Sequence, residues 1–262
     1  MTETFSTIAR NASEAAYPHL WQGLAGAWVP SLGVTGETLR DASGRKHHGT
    51  LTNMDPATDW QASGSGWSLD FDGSNDFVSV GDHQWSATRN TISLWVRPSA
   101  TGANQYLFDG STSGSFGLGV SIRIMNTRQV RYWSYDANYN VTTTATVSAG
   151  NWYHLTGSFD GATSRVWING VLAGSQTGDS LNSVTGSYRI GSSQVLGGPT
   201  NGKIDDVRFF QRALTPAEIK ALATERGVGL ARKRRRVYSI PAGPAFKAAW
   251  ATRATTIAGV LR

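Results

Sequence analysis

The chain has 262 residues, 39% hydrophobic and 16% charged, with 30 Gly, 10 Trp, 9 Phe, 8 Tyr and no Cys. That length buries a substantial core, while the absence of cysteine excludes a disulfide framework, Cys-ligated zinc and a thiol nucleophile, and no apolar run reaches the roughly 18 residues of a membrane-spanning helix. The net charge of +6 is unevenly spread: residues 226–262 hold every surplus positive charge and no Asp or Glu, so the basic character belongs to the C-terminal segment.

Residues 1–21, MTETFSTIARNASEAAYPHLW, read as an arm or short helix in which Phe5, Ile8, Tyr17 and Leu20 are available for docking. An acidic residue at position 3 and no continuous apolar stretch argue against a secretory signal, and the expectation is a protein made and kept in a cytoplasm unless lysis releases it. Residues 22–225 form the body, and no repeat of 20 to 50 residues is visible in it.

Strand signals then follow one another. SLDFDGSNDFVSV (68–80) alternates Leu69 and Phe71 against Asp70 and Asp72, with a turn at 72–75 that brings Asp76 back toward Asp72. TISLWVRP (91–98) alternates Ile92, Leu94 and Val96 against Thr91, Ser93 and Trp95 and stops at Pro98. Residues 105–124 read as a strand, a Gly/Ser turn and a second strand. In 151–175, Asp160-Gly161 and Asn169-Gly170 mark successive tight turns. Turns about every ten residues predict an all-β fold, a two-sheet antiparallel sandwich. One body helix is expected in TPAEIKALATER (215–226), with Thr215 as N-cap, Pro216 at N1, Glu218 completing a capping box, and Ile219 and Leu222 facing the core.

Taken in order, residues 23–53, SLDFDGSNDFVSV, TISLWVRP, NWYHLTGSFDGATSRVWINGVLAG and GKIDDVRFFQRALTPAEIKAL (202–222) resemble the laminin G-type jelly roll of the concanavalin A-like lectins. The resemblance spans about residues 22–225. It implies two curved antiparallel sheets in which a strand near Ala27 and Trp28 pairs with one near Val207 and Phe209. Glucanases on that fold use a Glu-x-Asp-x-Glu strand, whose nucleophile and acid/base lie ~5–5.5 Å apart. Glu occurs here at positions 3, 14, 37, 218 and 225 alone, so that strand is absent. Gly-x-Ser-x-Gly, His-Glu-x-x-His and P-loop motifs are absent as well, and a non-enzymatic protein is expected.

The aspartates allow two readings. Asp72 and Asp76 cap the backbone N–H groups of their turn, or they join Asp205, as the resemblance implies, in a structural Ca²⁺ site. His47-His48 reads as a turn, and His154 as a hydrogen-bonded core residue. VRYWSYDANYN (130–140) offers a carbohydrate platform of Tyr132, Trp133, Tyr135, Asp136 and Asn138, against the alternative that these aromatics are core or sheet surface.

The tail, 226–262, contains five consecutive basic residues, Arg232, Lys233, Arg234, Arg235 and Arg236, then prolines at 241 and 244. It ends in a helix-period stripe of Phe246, Trp250, Ile257 and Leu261, which packs either on its own sandwich or on a partner. Without interleaved aromatics the basic run does not point to nucleic acid. A jelly roll with two such ends resembles phage virion components. The expectation by analogy is a capsid-decoration, head-fibre or tail-associated subunit, oligomeric, anchored to major capsid or tail proteins through its ends, with weak adhesion to a host-surface glycan. The alternative is a free carbohydrate-binding module or lectin.

Overall fold

The computed structural model describes residues 14–230, apart from 64–65, 86–87, 111–118, 135–139, 179–183 and 194–196. Two antiparallel eight-stranded sheets form a sandwich, as the sequence predicts. The first, sheet A, contains β1 (Leu24–Trp28), β4 (Trp60–Ser63), β5 (Gly66–Asp72), β7 (Asn90–Pro98), β12 (Tyr153–Phe159), β13 (Thr163–Ile168), β14 (Val171–Thr177) and β16 (Asn201–Phe210). Sheet B contains β2 (Thr38–Leu39), β3 (Gly49–Thr52), β6 (Phe77–Trp85), β8 (Gln105–Asp109), β9 (Val120–Ile124), β10 (Gln129–Ser134), β11 (Asn140–Thr146) and β15 (Val184–Ile190). The spatial orders are β14-β13-β12-β7-β16-β5-β4, with β1 also on β16, and β11-β10-β9-β8-β15-β6-β3-β2.

Alternation decides what each strand buries. In β7, Ile92, Leu94 and Val96 enter the core between the sheets, while Ser93 and Trp95 point the other way, as period-2 geometry requires. Phe108 and Tyr188 from sheet B meet Phe209 from sheet A with ring centroids 6.1 Å from it. Asn169 (φ 52°) and Gly170 (φ 77°) both adopt the left-handed conformation that a two-residue hairpin turn needs between β13 and β14. The terminal strands pair as expected, Ala27 with Arg208 and Trp28 with Val207.

Strand β16 changes partners partway along. Its first half, Asn201 to Ile204, pairs with β5, and its second half, Val207 to Phe210, pairs with β1. Between them the register with β7 slips at Asp205 to Arg208, and Asp206 takes φ 50°. This is a bulge, an extra residue that bends the strand. Buried charge holds it: Arg208 Nε and Nη2 donate to Asp206 Oδ1 and Oδ2 at 2.7 and 2.9 Å. Gly227 N donates to Asp206 Oδ2, and Arg208 Nη2 to Val228 O, each at 2.7 Å. Asp205 Oδ1 accepts from Ser31 N and Asp206 N.

The outer face of sheet A carries a second, smaller core. Helix α1 (Pro18–Trp21) and helix α2 (Pro216–Leu222) bring Leu20, Ile219 and Leu222 against Trp167, Phe210 and Val228. Thr215 and Glu218 form the capping box, and Glu218 also receives two guanidinium hydrogen bonds from Arg212. These contacts move both expected boundaries. Tyr17, Leu20 and Trp21 belong to the sandwich and not to a separate arm. Residues 226–230 belong to it as well, because Val228 and Leu230 pack in this second core. The compact unit runs to Ala231, and Arg232–Arg262 form a second unit, outside the described residues.

Two buried groups beside the bulge titrate in opposite senses. Burial, with the charge of Arg208 adding to it, pushes His154 down to about 3. Burial, with the charge of Asp206 adding to it, pushes Asp205 up to about 7. Below the ordinary histidine value the unfolded chain takes up a proton that folded His154 refuses, so its contribution to stability is lost as pH falls from about 6.5 toward 3. Asp205 acts oppositely, since the folded state binds its proton more tightly and stability rises as pH falls from about 7 toward 4.

Two outcomes are expected in urea denaturation. Asp206→Asn leaves the Arg208 guanidinium buried without a counter-charge and costs roughly 3–5 kcal/mol; a loss below about 1 kcal/mol would show that the pair does not hold the bulge. On going from about pH 6.5 to about pH 4.5, His154→Gln loses less stability than the native chain and Asp205→Asn loses more. Identical pH slopes for all three would contradict these titrations.

Candidate functional site

Sheet B presents its outer face differently from sheet A. Because directly paired residues of neighbouring strands project to the same side of a sheet, the register defines transverse rows of side chains. One row runs Thr142, Arg131, Arg123, Tyr106 across β11, β10, β9 and β8. The next runs Asn140, Trp133, Ser121, Asp109, Arg189, Ser79 across β11, β10, β9, β8, β15 and β6. Core residues such as Ile122 and Tyr132 alternate with these along each strand and face inward. Six adjacent strands at ~4.8 Å spacing make the longer row about 24 Å from end to end, the length of several sugar rings.

Aromatic and cationic groups are concentrated in these rows. The Arg123 guanidinium lies 5.0 Å from the Tyr106 ring centroid and 5.1 Å from that of Trp133, within cation–π range of both. It also donates to the Tyr106 hydroxyl. Arg131 Nε donates to Thr142 Oγ1 at 2.8 Å, and Arg189 lies 4.1 Å from the Phe77 centroid. Burial lowers the pKa of Arg131, and the charge of Arg123 lowers it further. Burial also lowers Arg189, with Asp109 opposing the shift. The Tyr106 hydroxyl is raised by burial, against the pull of Arg123. Tyr106, Asp109 and Ser121 face away from the core yet are at most 4% exposed, and the Ser121 hydroxyl has no hydrogen-bond partner among the described residues.

Of the expected carbohydrate residues, the structure places Trp133 in this face, half-buried. Tyr132 is a correction: it is fully buried, its hydroxyl donates to Asn90 Oδ1 at 2.5 Å, and its ring packs where a side chain on Gly157 would stand. Alternation puts it on the core side of the same strand, so no ligand reaches it. Tyr135, Asp136 and Asn138 lie outside the described residues, as do Arg232, Lys233, Arg234, Arg235, Arg236, Phe246, Trp250, Ile257 and Leu261.

The expected metal ligands divide. Asp72 and Asp76 come together, but as backbone caps: Asp76 Oδ2 accepts from Asp72 N at 2.9 Å, and Asp72 Oδ1 from Ser74 N at 2.7 Å. Burial, with the charge of Asp72 adding to it, raises the pKa of Asp76. Asp205 is not with them. Asp72 pairs across the sheet with Asn201, four positions from Asp205, or ~13 Å along the strand. Asp205 is fully buried in the bulge instead. The three carboxylates therefore do not fit one Ca²⁺ shell, and among the described residues no group of three or more His, Asp or Glu is arranged to hold a metal ion. His154 is a core residue, its Nε2 2.8 Å from Ser93 Oγ. His48 lies in the irregular segment just before β3, where its Nδ1 accepts from Asp41 N.

The model of the laminin G-type family of the concanavalin A-like lectin/glucanases superfamily matches residues 72–220, and the chain belongs to that family. Among solved structures, it is similar to domain 4 of an extracellular GH43 arabinanase from Geobacillus stearothermophilus, solved in complex with arabinotriose. Identity there is 23% over 76% of this chain and 98% of that domain, with a TM-score of 0.61. The binding domain of Paraclostridial Mosquitocidal Protein 1 is 18% identical over 78% of this chain and 52% of its own length, with a TM-score of 0.59. Trypanosoma rangeli sialidase is 14% identical over 83% of this chain, which spans 38% of the sialidase, with a TM-score of 0.57. At these identities the likeness is one of fold.

Proposed function

We propose, with membership of this lectin superfamily as the premise, that the chain is a non-enzymatic glycan-binding module that takes a sugar chain along the outer face of sheet B. The observation that carries this reading is the row through Asn140, Trp133, Ser121, Asp109 and Arg189, which lines up an aromatic face with hydrogen-bonding groups across five strands. A sugar ring has an apolar face that stacks on indole and equatorial hydroxyls that need fixed donors and acceptors; such a row offers both. That a domain of this fold was solved in complex with arabinotriose supports sugar binding as such. Hydrolysis of a glycosidic bond needs two carboxyl groups across the scissile bond. The described side chains of the two rows contribute one, Asp109, which favours binding over cleavage.

Residues 232–262 hold eight Lys and Arg and no acidic residue, and they follow a unit that closes at Ala231. A segment so charged suits attachment to an acidic surface of a larger assembly. By analogy with phage proteins carrying this domain, that assembly is a virion, with capsid or tail proteins and further copies of the chain as partners.

Trp133→Ala is expected to leave the melting temperature within about 2 °C, as for a residue outside the core, and to weaken oligosaccharide binding at least tenfold by calorimetry. Unchanged affinity would remove sheet B's outer face from consideration. Deleting 232–262 is expected to keep oligosaccharide binding and melting intact while abolishing multimer formation in light scattering and incorporation into particles. If the shortened chain still assembles, the anchoring role is wrong.

A further inference from the structure

The arginines of sheet B specify the ligand more closely. Arg123 and Arg131 stand directly opposite one another on β9 and β10, and like charges in that position are destabilising. Neither has a counter-ion among the described residues. Arg131 donates to the neutral Thr142 hydroxyl, Arg123 to the Tyr106 hydroxyl, and Arg123 Nε is buried with no acceptor among the described residues. The one carboxylate of the two rows, Asp109, pairs in register with Arg189 and with Ser121, not with either member of the arginine pair. Ser121 neighbours the pair on β9, is 4% exposed, and turns to this face a hydroxyl with no partner among the described residues.

Two opposed guanidiniums with unused donors, a serine hydroxyl beside them and an indole against one edge converge on one side of the sheet. Guanidinium donors match the paired oxygens of a carboxylate or sulfate group, and such charge-assisted bonds are the strong ones. Resting on the glycan-binding reading above, we propose that the sugar taken by this face is acidic, its carboxylate or sulfate held between Arg123 and Arg131 while the ring lies on Trp133. A neutral sugar leaves the repulsion between the two arginines unrelieved; an acidic one removes it and gains their donors.

The test uses the full chain and calorimetry at fixed ionic strength. Trimers of glucose, galactose and mannose are compared with the corresponding uronic acid trimers and with their sulfated forms. At least one acidic trimer is expected to bind tenfold or more tightly than its neutral counterpart, and the uronate and sulfate arms distinguish the two sources of charge. Arg131→Gln, which keeps a donor for Thr142, is expected to erase that preference. Its ligand-free melting temperature is expected to be no lower than the native one, since it removes a like-charge pair and leaves the fold intact. Equal binding of neutral and acidic trimers, or a preference that survives Arg131→Gln, overturns the inference and leaves glycan binding standing. Absence of binding by every trimer overturns both.

Discussion

The bulge at Asp205 and Asp206 is the constraint on which the rest of the sandwich depends. It lets β16 serve β5 with one half and β1 with the other while staying beside β7 throughout. A non-glycine residue in the left-handed region costs on the order of 1–3 kcal/mol when its surroundings must enforce it. Here the enforcement is electrostatic. Asp206 is gripped by both arms of Arg208 and by Gly227 N, and Arg208 also reaches Val228 O. The pair therefore fixes the strand and the C-terminal segment together. Because α1 packs in the same small core as Val228, the two ends of the described chain are tied to one point.

Much of this was legible in the sequence where the determining physics is local. The alternation in β7, the Asn169-Gly170 turn and the Thr215 capping box each involve residues within a few positions, and each forms as read. The domain limits were not legible, because Val228 and Leu20 are buried by contacts across some two hundred residues that periodicity does not reveal. Asp205 shows a subtler failure. Its family motif suggested a ligand for a turn at Asp72, but the bulge and the register with Asn201 place it against Ser31 N.

The candidate site was legible only in part for a related reason. Trp133 stood out as an aromatic in a polar hairpin, yet its neighbour Tyr132 stood out equally, and only the direction of the pleat separates a ligand platform from a core residue. Arg123, Arg131 and Arg189 carried no signal, each being a single basic residue inside a strand. Pairing of four strands brings them into adjacent rows. The usable hint lay in β9 and β10, VSIRI and QVRYWS, where arginine and tryptophan occupy the positions that alternate with Ile122, Ile124, Val130 and Tyr132.

The two outer faces of the sandwich differ in what surrounds their partly buried cations. On sheet A, three outward cations have carboxylate partners within the chain: Arg208 with Asp206, Lys203 with Asp70, and Arg212 with the helix-capping Glu218. Much of that face is then covered by α1, α2 and residues 226–230. On sheet B, aromatic rings and hydroxyls surround Arg123 and Arg131, and neither forms an ion pair with a described residue, whereas Arg189 stands in register with Asp109. Partly burying a cation without a counter-charge works against folding. Among the described residues, the Arg123–Arg131 pair thus lacks the carboxylate partner that Arg208, Lys203 and Arg212 each have on sheet A.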